Sequence, residues 1–127
     1  MIHVFLPAYN EAVALERLAS KIDIFFKAMS EPYQIVILDD GSSDTTFEVA
    51  THLSHRYPIT ILRHEINKGL GQTMIDGFTH LARIAAPTDT IVTLDCDDTH
   101  EPTYLGRALA KIKENYDVVI LSRFQKG

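Results

Sequence analysis

The chain lacks several features that would otherwise set its chemistry. It has a single cysteine, Cys96, so no intramolecular disulfide can form and a reducing compartment is expected. No apolar run approaches the ~18 residues that would suggest a membrane span. Positive charge is scarce. The 12 Lys and Arg stand against 17 Asp and Glu, a net charge of −5, which excludes the basic stripe of a nucleic-acid binder. The histidines show no HxH or HExxH spacing, which argues against zinc. The glycines form neither GxGxxG nor a P-loop. The β-like run at residues 2–6 begins at once and leaves no room for a signal peptide. A cytoplasmic protein is therefore expected, with the cytoplasmic face of a membrane left open. Repeats, linkers and low-complexity tracts are also absent.

What is present is a soluble-type composition, 46% hydrophobic and 23% charged over 127 residues, which fits one domain spanning residues 1–127. Strand-like runs at 2–6, 34–38, 59–62, 90–94 and 118–121 alternate with helical patterns. The first helix carries Leu15, Leu18, Ile22, Phe25, Phe26 and Met29 at helical spacing and ends near Pro32. A second carries Phe47, Ala50, Leu53 and Tyr57, with Thr45 and Glu48 spaced as a capping box. A third places Met74, Phe78, Leu81, Ala82 and Ala85 toward the core. A fourth starts at Pro102 and buries Leu105, Ala108, Leu109, Ile112 and Tyr116. Such alternation, with near-continuous apolar strands, predicts an α/β fold with a parallel sheet covered by helices on both faces. Right-handed crossovers then align the C-terminal ends of all strands along one edge.

Polar clusters fall on that edge: Tyr9 to Glu11, 39–44 and 95–98, joined by Arg123 after the fifth strand. Asp95 and Asp97, separated by one residue after a buried strand, suit a hard divalent cation that also holds phosphates. Cys96 between them is expected to turn inward as a small hydrophobe. Asp98 suits a helix start, and His100 is either a ligand or a loop histidine. Asp39 and Asp40 together exceed what a helix cap needs and point to ligand contact, whereas Ser42, Ser43 and Asp44 fit a cap. In Asn67-Lys68-Gly69-Leu70-Gly71, glycine at positive φ explains the turn. Lys68 is solvated unless a phosphate lies nearby. Arg123 is either a charge-assisted fork for phosphate or a solvated terminal arginine.

Together these residues resemble the family-2 glycosyltransferases of the GT-A, Rossmann-like fold. The matching motifs are Pro7-Ala8-Tyr9-Asn10-Glu11, Asp39-Asp40-Gly41-Ser42-Ser43-Asp44, Asn67-Lys68-Gly69-Leu70-Gly71 and the DxD-type Asp95-Cys96-Asp97. The tail 97–102 with Ser122-Arg123-Phe124 is most similar to the polyprenyl-phosphate branch, such as dolichyl-phosphate mannose synthases. Thr99 and Thr73 depart from that branch, which often carries Gln and Ala there.

The resemblance implies a UDP- or GDP-linked sugar donor, Mg or Mn, and an inverting displacement onto an acceptor such as a lipid phosphate. Pro7, Tyr9, Glu11, Asp39 and Lys68 would border the nucleotide sugar. Asp95 and Asp97 would hold metal and diphosphate, with Asp97 and Arg123 in the catalytic roles. Family domains continue past residue 127, so the chain reads as the donor half, its sheet truncated after about five strands. Its unfinished edge then favours self-association. Two other readings stand beside this one. A non-catalytic nucleotide-binding or assembly fragment explains the missing half. A haloacid-dehalogenase-like phosphatase matches Asp95-Cys96-Asp97-Asp98-Thr99, although that motif usually opens its domain.

Overall fold

The computed structural model describes residues 1–96 and 104–119. Strands β1 (Ile2–Ala8), β2 (Tyr33–Asp40), β3 (Ile59–His64) and β4 (Thr90–Thr93) alternate with helices α1 (Ala12–Ala28), α2 (Thr46–Leu53), α3 (Leu70–Ile84) and α4 (Leu105–Lys113). The four strands form one parallel sheet in the order β3-β2-β1-β4. β1 and β2 lie inside the sheet and are almost wholly buried, as their near-continuous apolar runs require. β4 pairs, among the described residues, with β1 alone, and Ile91 and Thr93 on it are exposed.

The two faces of the sheet are covered unequally. On one, Val4, Leu6, Ile35 and Ile37 pack with Leu15, Leu18, Ile22 and Phe26 of α1, Ala50 and Leu53 of α2, and Leu105 and Leu109 of α4. On the other, Phe5, Val36 and Leu38 meet Leu81 and Met74 of α3. α3 lies close because Gly77 has no side chain. A Cβ there would stand 2.0 Å from the Phe5 ring.

α1 stops where Ser30 turns to φ 54, its amide bonding Lys27 O and that of Glu31 bonding Phe26 O. This is a Schellman closure with serine in the position glycine usually takes.

Several expectations differ from the structure. The buried stripe of α3 is Thr73, Gly77 and Leu81, not Phe78 and Ala82, which are exposed. The helix is rotated so that its smallest residue faces the bulky Phe5. Thr45 makes no side-chain cap on α2; Asp44 caps instead, its Oδ1 accepting from the amide and hydroxyl of Thr46. Tyr116 is exposed, so the stripe of α4 narrows to Leu105 and Leu109. Of the expected fifth strand, residues 118 and 119 carry no strand, and 120–121 lie outside the described residues.

Candidate functional site

The strand order places the site. From β1 the chain runs outward to β2 and β3, then returns to β4 on the far side of β1. The strand order therefore reverses between β1 and β4. Loops leaving two such strands diverge and open a crevice at the carboxyl edge, where α/β sheets bind ligands. A cavity of about 320 Å³ lies there. Pro7, Tyr9 and Glu11 line it from β1 and its loop, and Asp95 and Cys96 from the end of β4. Asp40, Asn67, Gly69 and Thr73 complete the wall. Tyr9 and Asp95 are exposed, while Cys96 is buried as expected.

Two loops beside this cavity are tied together. Asn10 takes φ 53, a left-handed conformation that asparagine tolerates better than most residues. Its Oδ1 accepts from the amides of Ser43 (2.9 Å) and Asp44 (3.3 Å), and its own amide donates to Ser42 Oγ at 2.9 Å. The amide of Glu11 donates to Thr46 Oγ1 at 2.9 Å. The polar residues after β2 therefore brace the β1 loop as well as capping α2. Burial would raise the Asp44 pKa, but hydrogen bonds from the Thr46 hydroxyl and amide and from the Ala12 amide outweigh it, and the carboxyl titrates below its ordinary value.

The two carboxylates ending β2 differ in their partners. The parallel register sets Asp39 beside Arg63 and Asp40 beside His64. Asp39 is fully buried. Its Oδ1 accepts from the amide and hydroxyl of Ser42. Its Oδ2 has no hydrogen-bond partner, with Arg63 Nε 3.7 Å away. The Arg63 guanidinium lies 4.1 Å over the Phe47 ring.

Asp40 is saturated. Oδ1 accepts from the Lys68 amide and faces His64 Nδ1, both at 2.8 Å. Oδ2 accepts from the Gly69 amide at 3.0 Å and Asn67 Nδ2 at 3.1 Å. Burial would raise its pKa; the His64 contact and the two amides reverse that and hold it below the usual carboxylate value. Gly41, at φ 65, lets the backbone of Ile66 and Asn67 close in, since a Cβ would lie 2.4 Å from Asn67 N.

This changes the reading of the 67–71 loop. Gly69 has the expected positive φ, 92°, but the amides of Lys68 and Gly69 turn inward to Asp40. The Lys68 side chain is exposed on this loop and can meet an anion. Ligand contact was expected of Asp40 as well as Asp39; Asp40 lines the cavity and also holds this loop. Pro7, Tyr9, Glu11 and Asp95 are brought around one cavity, with Asp39 buried in the adjoining strand and Lys68 on the loop beside it. Asp97 and Arg123 lie outside the described residues. Asn10, Asn67, His64 and Asp76 were not singled out from the sequence. His64 comes into view only once the structure pairs Leu38-Asp39-Asp40 with Leu62-Arg63-His64 in the neighbouring strand.

The glycosyl transferase family 2 model matches residues 3–127. The chain belongs to that family. It is 37% identical over 126 residues to the dolichol-phosphate mannosyltransferase of Pyrococcus furiosus, covering 99% of this chain and 34% of that protein. It is 32% identical over 120 residues to the undecaprenyl-phosphate 4-deoxy-4-formamido-L-arabinose transferase of Salmonella choleraesuis, covering 93% of this chain and 35% of that one. Among solved structures, the mannosyltransferase PcManGT of Pyrobaculum calidifontis, in complex with GDP-Man and Mn2+, superposes with TM-score 0.61 at 22% identity, over 85% of this chain and 31% of that one. That likeness establishes the fold, the GT-A arrangement expected of the family. The chain spans about a third of the length of the curated relatives it matches. No helix among the described residues is long and apolar enough to cross a membrane.

Proposed function

We propose that this family-2 chain forms the donor side of a glycosyltransferase, binding a UDP- or GDP-linked sugar in the crevice between β1 and β4. The observation that carries the reading is the gathering of Pro7, Tyr9, Glu11 and Asp95 around one cavity at the point where the strand order reverses. Asp39 Oδ2 is a buried acceptor that the fold leaves without a hydrogen bond, and an N–H of a nucleobase supplies the partner it lacks. Tyr9 and Pro7 offer apolar surface to the nucleoside, and Lys68 offers a cation to the diphosphate.

The donor set fits Mg or Mn. Among the described residues no cluster of three or more His, Cys, Asp or Glu could hold a metal ion. Such ions commonly take one or two carboxylates and complete their shell with substrate phosphate oxygens. Asp95 and Asp97 are the residues we assign to hold it. When bound, the ion neutralises charge on the departing nucleotide diphosphate. Asp95 orients the diphosphate at the mouth of the crevice, and Arg123 places a second phosphate.

The kinship with polyprenyl-phosphate sugar transferases supports a lipid phosphate as acceptor. Such an acceptor is ionised near neutral pH and attacks without a general base, inverting the anomeric centre. The reaction then takes place at the cytoplasmic face of a membrane. The outer edge of β4, with Ile91 and Thr93 exposed, is where self-association would occur. A match to family 2 along residues 3–127 leaves the phosphatase reading without support.

Calorimetric titration of UDP- and GDP-sugars with and without Mn2+ tests the proposal. Binding of one nucleotide class that requires the metal is the expected result. A folded chain that binds neither class in the presence of Mn2+ overturns it.

A further inference from the structure

His64 sits at the end of β3 between two carboxylates. Nδ1 is 2.8 Å from Asp40 Oδ1, and Nε2 is 2.7 Å from Asp76 Oδ2 on α3. The residue is buried at 8% exposure. Carboxylate oxygens only accept, so both contacts are hydrogen bonds when both ring nitrogens carry hydrogen. Asp76 is held in turn by Gln72, whose Nε2 donates to Oδ1 at 2.8 Å. The groups facing the imidazole are thus Asp40 from β2 and Asp76 from α3, with Lys68 of the intervening loop close enough to Asp76 to lower its pKa further.

From α3 inward, these contacts form a chain: Gln72, Asp76, His64, Asp40, and then the amide of Lys68 and that of Gly69, which lines the cavity. We infer that His64 is a positioning residue for donor binding, fixing Asp40 so that it holds the 67–69 loop against the crevice. This rests on the donor-site reading above. His64 lines no part of the cavity, so any effect on the donor is indirect, and the route proposed is through Asp40, which does line it. Without the imidazole, Asp40 keeps its amide partners but loses the contact that fixes its rotamer from the side away from the loop.

Two amide substitutions separate this role from simple packing. The asparagine amide nitrogen falls near the position of Nδ1, so His64→Asn retains a donor for Asp40 and gives up Asp76. The glutamine amide falls near Nε2, so His64→Gln reaches Asp76 and gives up Asp40. Packing alone favours glutamine, the closer of the two in size to histidine. Positioning through Asp40 favours asparagine.

Hydrogen exchange at the Lys68 and Gly69 amides in the unliganded full chain is the first readout, and Mn2+-supported UDP and GDP titration the second. In His64→Gln, exchange at both amides speeds up and affinity for whichever nucleotide binds weakens, each by roughly tenfold, the loss of about one buried hydrogen bond. His64→Asn stays within about threefold of the parent chain in both. Equal behaviour of the two variants, or a milder His64→Gln, overturns the inference. A parent chain that binds no nucleotide overturns the donor-site reading instead, and the exchange readout alone then decides the clamp.

Discussion

The ends of β2 and β4 each present an aspartate to the same crevice, and the fold treats them in opposite ways. Asp40 closes an eight-residue strand in the sheet interior, where burial and four hydrogen-bonding contacts fix it from two sides. Asp95 follows a four-residue strand that is outermost among the described strands, and it is exposed. A carboxylate hydrogen-bonded by amides and a histidine is part of the scaffold. An exposed one at a switch point is open to the crevice, and we propose that it meets the ligand. Acidic residues at the carboxyl edge of a sheet therefore do not form one class, and their neighbours decide which kind each is.

The sharpest way to break this contrast is to remove Asp40. Asp40→Ala strands a buried imidazole and the amides of Lys68 and Gly69, and should cost about 3 kcal/mol of stability. Urea unfolding of the variant checks this, and a loss below about 1 kcal/mol would put Asp40 in the same class as Asp95.

A second test approaches the same clamp from the backbone. Gly41→Ala adds a Cβ 2.4 Å from Asn67 N and from Ile66 C at a residue with φ 65. Neither atom is the end of a flexible side chain, so the loop must shift. Strain at positive φ plus this displacement should destabilise by about 2 kcal/mol. Thermal unfolding measures it, and an unchanged midpoint would mean that the loop after β3 moves away at no cost.

The third effect is smaller and depends on pH. Asp40 titrates below 3.8 in the folded chain, so as the pH falls past that value the unfolded state takes up its proton first. The contribution of this carboxylate is therefore complete above about pH 4 and is lost as the pH drops through the lower, folded value. Replacing it by asparagine should reduce the proton uptake on acid unfolding by about one proton at most. Stability curves between pH 2 and about 5 with the same slope for both chains would show that the clamp does not depend on charge.

Much of this was legible in the chain itself. The apolar run at 34–38 and the helical spacing of Leu15, Leu18 and Ile22 report directly on burial, whereas the run at 90–94 marks a strand whose Ile91 and Thr93 are exposed. The parallel sheet and its common carboxyl edge followed from the alternation. Less legible were contacts between segments far apart in sequence. Nothing in the spacing of α3 marks Gly77 as the residue that faces Phe5. The role of Asp40 depends on a register that pairs it with His64, and no local pattern fixes register between two parallel strands of this kind. Asn10 braces the residues after β2 from a positive φ, which side-chain identity permits but does not dictate.

Asp95 sharpens the contrast from the other side. Asp95→Asn preserves size and removes charge at an exposed position, so its cost to stability should stay under about 0.5 kcal/mol. Its effect on ligand binding should be far larger. If Asp95 helps hold a divalent cation against a diphosphate, the asparagine variant loses most of the affinity that Mn2+ adds and keeps the weaker metal-independent affinity that the nucleoside contacts provide. Paired titrations with and without Mn2+, alongside urea unfolding, separate the two quantities. A variant that unfolds as easily as Asp40→Ala would make Asp95 part of the scaffold. One that retains the full Mn2+ enhancement would shift the metal to other carboxylates and leave the crevice between β1 and β4 with a different role for its acidic wall.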